Sequence, residues 1–409
     1  MDPFPAIDEV EERRAIIEQM RDDAITFTPY VPPMNYMQFS YLMGMPLPNL
    51  RALSQQTPTS ATLSFVFLGR LTSHFFEGQA YNTSPLTPAT NASAPWSARL
   101  GTCPVSPNSS TIEYCRRLDW NRCIVTGLPE SQICPILPLT WNETEDNLQK
   151  TRTLLGCVQG VILERNREAY VADAELVRGV HCTEKAWNAL NLSPQLQTWW
   201  GKAFFGFKYH GATVCEDDPD YSIILLQFVW MPCSTKARAF EEVDPEAERD
   251  PSTGFRSYLD HRYGGDSSTV CRATDCAACE KTMGVRCYDI ATGQRIKSGT
   301  IIKVKRLTEH RPLFEHTIKT QWSIICAASL SGGPLTDDDP LSSESEDSSG
   351  GSISEEEDMR LSDEGLSEPE EYERQESFYK VNKWLNHKDG MASRVSPSSK
   401  LGLGYSRSL

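Results

Sequence analysis

The alternation of hydrophobic and polar positions predicts both helices and strands in the N-terminal part of the chain. Val10, Ile17 and Met20 recur at helical spacing among Glu and Arg, which predicts an amphipathic surface helix over residues 8–25. Residues 61–67 alternate between apolar and smaller or polar side chains, a pattern that is typical of a strand. The leading segment is therefore expected to be partly helical and partly extended.

A different pattern follows in the middle of the chain. Residues 112–120 predict a short helix, residues 122–127 a strand that ends in a glycine turn, and residues 132–141 a second extended piece. Ser193 precedes Pro194, and this order is that of an N-cap and a first helical turn. A helix is therefore expected to begin at Pro194.

Three later segments have the character of strands. Residues 204–211 and 222–231 are continuously hydrophobic, as in strands that are covered on both faces. Residues 300–307 alternate, so that Lys303 and Lys305 share one face and the apolar residues occupy the other. Lysines on such a face contact phosphates in some proteins and only keep an exposed strand soluble in others. The pattern alone leaves both interpretations open.

The acidity of the chain is confined to one segment. The 409 residues carry a net charge of −15, and residues 337–376 hold 17 Asp or Glu residues against two Arg, which accounts for all of it. Between Arg286 and Lys319 there are eight basic residues and three acidic ones. The overall acidity therefore does not exclude a nucleic-acid ligand.

These patterns predict an α+β protein with several regions. The expected regions are an N-terminal helical and extended segment (1–81), a Ser/Thr/Pro-rich linker (82–110), a central domain (111–240), a Cys-containing β-rich extension (255–331), a disordered acidic tail (332–376) and a basic C-terminal segment (377–409). No apolar run reaches the roughly 18 residues of a membrane span. The acidic N-terminus contains no readable export signal, so an intracellular location, nuclear or cytoplasmic, is expected.

The central region resembles the ββα-metal core of the fungal HNH nuclease domain family. The resemblance covers about residues 112–235. The residues that carry it are Cys123, Thr126 and Gly127 at a strand end, Ile136, Pro138, Leu139 and Thr140 on the next strand, and Asn188, Leu192, Trp199 and Trp200 at the helix. The resemblance implies an HNH-type core inside a larger α+β domain, with nucleic acid as the ligand class and Mg²⁺ or Mn²⁺ as the cofactor of an active enzyme.

Two of the three functional positions implied by the resemblance hold unsuitable side chains. The general base of the family corresponds to Pro135, which has no titratable group, and the metal-binding histidine corresponds to Gln197. The orienting asparagine is retained as Asn188. We therefore expect impaired catalysis and a role as a nucleic-acid-binding or regulatory module, with DNA as a candidate partner.

An active enzyme is the alternative prediction. His181 lies seven residues before Asn188 and would have to replace the missing base. In that case the protein would be a metal-dependent endonuclease that hydrolyses DNA phosphodiesters.

A cysteine cluster supports another alternative. Cys271, Cys276, Cys279 and Cys287 lie within 17 residues of a chain in which thiols are expected to stay reduced. One Cys-x-x-Cys pair with two further cysteines is suited to structural zinc, and equally the thiols can pack as small apolar side chains. The second alternative is thus a zinc-stabilised interaction scaffold that contacts a protein partner through its acidic tail. The sequence does not indicate the oligomeric state.

Overall fold

The computed structural model describes residues 9–27, 34–56, 58–83, 109–162, 167–233, 238–250, 254–259, 261–265, 277–282 and 284–333. All of these residues belong to one compact unit, Met1–Asp347. A second unit, Ser348–Leu409, lies outside the described residues, as do the rest of the predicted acidic tail beyond residue 333 and most of the predicted linker.

Helices make up most of the described structure. Their bounds are α1 Val10–Phe27, α2 Tyr36–Gly44, α3 Leu47–Ser54, α4 Pro58–Thr83, α5 Ser109–Leu118, α6 Glu145–Ile162, α7 Arg167–Leu176, α8 Pro194–Gly201, α9 Pro245–Arg249, α10 Phe255–Leu259, α11 Ala277–Thr282 and α12 Arg311–Leu330. Short 3₁₀ turns lie at Leu139–Asn142, Ala186–Asn188, Tyr263–Gly265 and Thr308–His310.

The described strands form two small antiparallel sheets. Their bounds are β1 Gln132–Pro135, β2 Ala189–Leu192, β3 Phe205–Val214, β4 Tyr221–Trp230 and β5 Ile301–Leu307. One sheet pairs β1 with β2, and the other has the order β3-β4-β5. The α+β class expected from the sequence is therefore confirmed.

Several local predictions are confirmed because local chemistry decides them. Val10, Ile17 and Met20 form the buried stripe of α1. The Ser193 hydroxyl accepts a hydrogen bond from the backbone N–H of Leu196, so α8 begins with a side-chain cap. The predicted strands at 204–211, 222–231 and 300–307 correspond to β3, β4 and β5.

The strand predicted at residues 61–67 is wrong, because this segment belongs to helix α4. Leu68, Leu71 and Phe75 are fully buried and recur at intervals of three and four, as on one face of a helix. The alternation over seven residues was a short sample of that longer period. A period of two and a period of 3.6 cannot be separated in so short a window.

Two further predictions need correction. Residues 122–127 form turns instead of a strand, and Gly127 adopts a left-handed φ of 71° there. The described part of the segment 255–331 contains the strand β5 together with α10, α11 and the long helix α12, so this part is more helical than extended. Pro312 sits in the first turn of α12, a position that favours helix initiation.

The core lies between α12, α2 and the three-stranded sheet. Helix α12 packs against β3 and α2, and Phe314, Ile318 and Ile324 on it are completely buried. An aromatic cluster continues this core along β3 and β4, where the Phe205 and Phe228 rings stack at 4.7 Å. Helix α8 joins the cluster through Trp200, whose ring lies 5.6 Å from that of Phe207.

Candidate functional site

The site predicted from the resemblance lies where β1, β2 and α8 meet. In the β1–β2 pair, Pro135 is opposite Ala189 and Gln132 is opposite Leu192. Helix α8 begins two residues after β2 ends. The chain order around the site is thus strand, strand, helix, with the long insertion of α6 and α7 between the two strands.

Asn188 joins the end of β1 to the segment before β2. Its Oδ1 accepts from the Leu137 backbone N–H at 2.8 Å, and its Nδ2 donates to the carbonyls of Leu137 at 2.9 Å and Thr183 at 3.2 Å. The side chain is 1% exposed. All of these partners are backbone groups, so Asn188 fixes the position of the turn after β1.

Pro135 is buried beneath helix α4. The Gln79 side chain of α4 donates to the carbonyls of Pro135 at 3.3 Å and Ile136 at 3.2 Å. One residue earlier in the helix, Gly78 packs directly against Pro138 and Thr140. The turn that follows β1 is therefore covered by α4 and is not open to solvent.

Gln197 is buried in the first half of α8. It is 6% exposed, and its Oε1 accepts a hydrogen bond from the Gln132 side chain on β1. This amide contact ties the helix to the strand.

Two residues expected on the helix lie before it. Asn188 ends a 3₁₀ turn and Leu192 ends β2, whereas Trp199 and Trp200 are in α8. Because β2 runs antiparallel to β1 and its first residue, Ala189, pairs with Pro135, Asn188 lies beside the end of β1.

These three positions do not suit a hydrolytic divalent cation. Pro135, Asn188 and Gln197 offer neither a carboxylate nor an imidazole, the groups that hold Mg²⁺ or Mn²⁺ in protein sites. Across the described residues as a whole, no group of three or more His, Cys, Asp or Glu side chains is arranged to hold a metal.

His181, the candidate replacement base, points to other partners. Its Nδ1 lies 2.6 Å from Glu184 Oε1, and its backbone N–H donates to the Asn142 carbonyl at 2.8 Å. The His181 side chain is 57% exposed. His181 thus contacts Glu184 on the turn before Asn188 and Asn142 at the end of the 3₁₀ turn after β1, and neither contact involves Pro135 or Gln197.

Of the four candidate zinc ligands, the structure describes Cys279 and Cys287. Cys271 and Cys276 lie outside the described residues. The Cys279 Sγ on α11 lies 3.5 Å from His261 Nδ1. Cys287 is buried, and burial together with the neighbouring Cys123 raises the pKa of its thiol to about 12. His261 was not among the residues predicted from the sequence, because a histidine ten residues before the cluster follows no ligand spacing.

The lysines predicted to share a strand face do so. Lys303 is exposed, Lys305 is half-buried with its Nζ 4.2 Å from the Tyr221 ring centroid, and Ile302 and Val304 are buried on the opposite face. On the paired strand β4, Ile223 lies opposite Lys305 and Leu225 opposite Lys303, and both are half-buried. We call Tyr221, Ile223, Leu225, Lys303 and Lys305 the lysine face.

Two features around the site were not found by sequence reasoning. Arg306 on β5 forms a fully buried bidentate ion pair with Asp119, at 2.7 and 3.2 Å, and also donates to the Ala189 carbonyl of β2 at 2.7 Å. His74 of α4 stacks on Trp141 at 5.6 Å. Local sequence patterns did not predict either contact, because the two partners of each contact lie far apart in the sequence.

Comparison with known proteins leaves the family open. No protein-family model matches the chain, and no curated protein or solved structure is significantly similar to it. None of the helices in the described ranges combines the length and apolar character that crossing a membrane requires.

Proposed function

We propose that the protein is a non-hydrolytic nucleic-acid-binding module whose central region derives from an HNH-type ββα core. The observation that carries this proposal is that positions 135, 188 and 197 are all buried and hold proline, asparagine and glutamine. The strand–strand–helix order of β1, β2 and α8 supports the derivation.

Hydrolysis needs groups that these positions lack. A general base contributes about 100- to 10,000-fold in rate, and proline cannot accept a proton. The scissile phosphate would also have to reach Pro135 and Gln197, and helix α4 covers the former through Gln79. The side chains at these positions and their burial therefore both argue against hydrolysis.

The lysine face supports nucleic acid as the ligand class. Lys303 is exposed and Lys305 half-buried on one face of the sheet, and neither forms a salt bridge within the described part of the chain. Such groups neutralise phosphates and release counterions, so their contribution to binding depends on salt. Tyr221 adds an aromatic ring beside Lys305.

Nicking of supercoiled plasmid in Mg²⁺ and Mn²⁺ tests the non-hydrolytic part. We expect no cleavage by the full chain. His181→Ala, on an exposed side chain, and Asn188→Ala serve as controls for contaminating nuclease. Cleavage that either variant abolishes would overturn the proposal and establish a metal-dependent endonuclease.

Binding of fluorescent duplex DNA over a salt series tests the ligand class. We expect Lys303→Gln with Lys305→Gln to weaken binding and to reduce the slope of log K against log salt by about 1.8, for two lost phosphate contacts. Lys150→Gln, on an exposed side chain of α6, is the matched control. Equal binding by both variants would remove the lysine face from the proposal.

A zinc-stabilised scaffold is a second candidate, favoured by the Cys279–His261 contact. Sulfur and nitrogen ligands at about 2.3 and 2.05 Å from tetrahedral zinc are about 3.6 Å apart, and the two atoms here are 3.5 Å apart. The sequence offers Cys271 and Cys276 as further ligands.

Metal analysis of the purified chain distinguishes the zinc scaffold from a simple thiol–imidazole hydrogen bond. We expect stoichiometric zinc that Cys279→Ser and His261→Ala both remove and that Cys287→Ser leaves in place. Zinc lost equally in all three variants would place Cys287 in the site, and a metal-free wild type would eliminate this candidate.

A further inference from the structure

The turn after α5 exposes a tryptophan beside three arginines. Trp120 is 81% exposed, the highest value among the exposed large hydrophobic side chains of the described residues. Arg116, Arg117 and Arg122 are exposed in the same seven-residue stretch. We call Arg116, Arg117, Trp120 and Arg122 the arginine–tryptophan turn.

The backbone of this turn is strained. Trp120 and Asn121 have φ values of 57° and 55°, so two consecutive non-glycine residues occupy the left-handed region. L-residues avoid this region, and strained residues persist only where the surrounding structure fixes them. This backbone conformation at Trp120 therefore costs free energy. A loop without constraining contacts would relax out of it.

Hydrogen bonds and one buried ion pair fix the turn. The Asn121 N–H donates to the Arg116 carbonyl at 2.7 Å, and the Trp120 N–H donates to the Arg117 carbonyl at 3.2 Å. Asp119, immediately before Trp120, is buried and paired with Arg306. The backbone that carries Trp120 is therefore fixed before any partner arrives, which lowers the entropic cost of binding.

The turn carries a net positive charge. None of the three arginines forms a salt bridge within the described residues, and the only acidic side chain inside the turn, Asp119, is neutralised by Arg306. The Arg117 guanidinium lies over the Tyr114 ring at 5.4 Å, and Arg122 donates to the Gly127 carbonyl at 2.9 Å. Both contacts orient the guanidinium groups without cancelling their charge.

We propose that the arginine–tryptophan turn binds single-stranded nucleic acid. Guanidinium groups match phosphates in bidentate geometry, and an exposed indole ring stacks on bases that are not paired. An acidic polypeptide would satisfy the arginines but offers few flat rings to Trp120. The inference rests on the ligand class of the proposed function and assigns it a surface other than the lysine face.

Fluorescence anisotropy with a labelled mixed-sequence single strand tests this assignment in the full chain. We expect Trp120→Ala to weaken binding about 5- to 150-fold, the range for loss of one base stack, and Trp120→Phe to retain most of it. Arg116→Gln with Arg117→Gln is expected to reduce the salt slope by about 1.4. Tyr170→Ala, which removes another half-exposed aromatic ring, and Arg178→Gln are matched surface controls and should bind like wild type.

Four outcomes would overturn the assignment. Equal weakening in the Tyr170 and Arg178 variants would show a non-specific surface effect. Polyglutamate binding at least as tightly as the single strand would show an acidic protein partner. Normal single-strand binding by Trp120→Ala, with weaker binding by the Lys303 and Lys305 variant, would reject the turn as the binding surface and keep the proposed function. If the wild type bound no nucleic acid, both the turn and the proposed function would be rejected.

Discussion

Arg306 and Asp119 connect the two sheets of the protein at the scale of single residues. Their side chains are 0% and 1% exposed, and the guanidinium also reaches the Ala189 carbonyl of β2. A buried ion pair gains little over apolar packing, but removal of one partner leaves an uncompensated charge in the interior. The pair therefore fixes the position of β2 and, through β2, that of Asn188.

Asp119→Asn tests this connection. We expect a loss of about 3–5 kcal/mol in the free energy of unfolding, because Arg306 is then buried without its counter-charge. Urea unfolding measures the change. Arg178→Gln, which removes an exposed pair with Glu175, should change the same quantity by at most about 1 kcal/mol. A small effect of Asp119→Asn would mean that water reaches Arg306.

His74 makes stability depend on pH at the same scale. Burial, aided by the charge of Lys150, lowers the pKa of His74 to about 3. Because Thr151 donates its hydroxyl hydrogen to the Trp141 carbonyl at 2.7 Å, the His74 Nε2–H must donate to Thr151 Oγ1, at 2.9 Å. With its pKa lowered to about 3, the His74 ring is neutral in the folded protein above that pH.

The sign of the pH effect follows from the lowered pKa. The unfolded chain binds a proton at His74 below about pH 6.5 and the folded chain does not, so stability is full above that pH and falls as the pH drops toward 3. We expect a slope of up to about 1.4 kcal/mol per pH unit from this group, measured by urea unfolding between about pH 5 and 6.5. His74→Gln should flatten the slope, and an unchanged slope would contradict the assignment.

At the scale of elements, helix α4 decides whether the candidate site is open. It covers the turn after β1 at Gly78, where an added Cβ would overlap Pro138 and Thr140. Only a residue without a side chain allows this approach. The N-terminal segment and the central region, which composition suggested are divided by a linker, thus meet at the position of the missing base.

Gly78→Ala tests how closely α4 must approach. We expect a loss of about 1–3 kcal/mol from overpacking. Gly156→Ala in α6 is the matched control, because an added Cβ there has nothing within 4 Å, and it should stabilise the protein by about 0.4–1 kcal/mol. Thermal unfolding compares the two. Equal stabilisation by both substitutions would show that α4 is not tightly packed on the turn.

At the scale of the whole molecule, charge is divided between one acidic segment and the remainder. Residues 337–376 account for the full net charge of −15, so the other residues sum to zero. Net negative charge opposes the approach of a phosphate backbone over long range and is screened by salt.

Deletion of residues 337–376 tests the effect of this charge on ligand binding. We expect tighter binding of single- and double-stranded DNA at low salt and a difference from wild type that shrinks as salt increases. Anisotropy over a salt series measures both. A difference that persists unchanged at high salt would indicate a cause other than charge.

The sequence by itself determined the features that depend on neighbouring residues. It predicted α1 from its apolar stripe, the start of α8 from Ser193 and Pro194, the strand β5 with its two lysines, and the unsuitable side chains at positions 135 and 197. These follow from local periodicity, capping and the chemistry of single side chains.

Only the tertiary structure decided the features that join distant segments. It placed Gln79 on the turn after β1, Arg306 on Asp119, and His261 beside Cys279. Residues 61–67, whose alternation predicted a strand, are helical in α4. Burial of one long helical face outweighs a pattern seen over seven residues. Such contacts depend on which elements pack together. Packing is a property of the whole fold, and the spacing of neighbouring residues does not determine it.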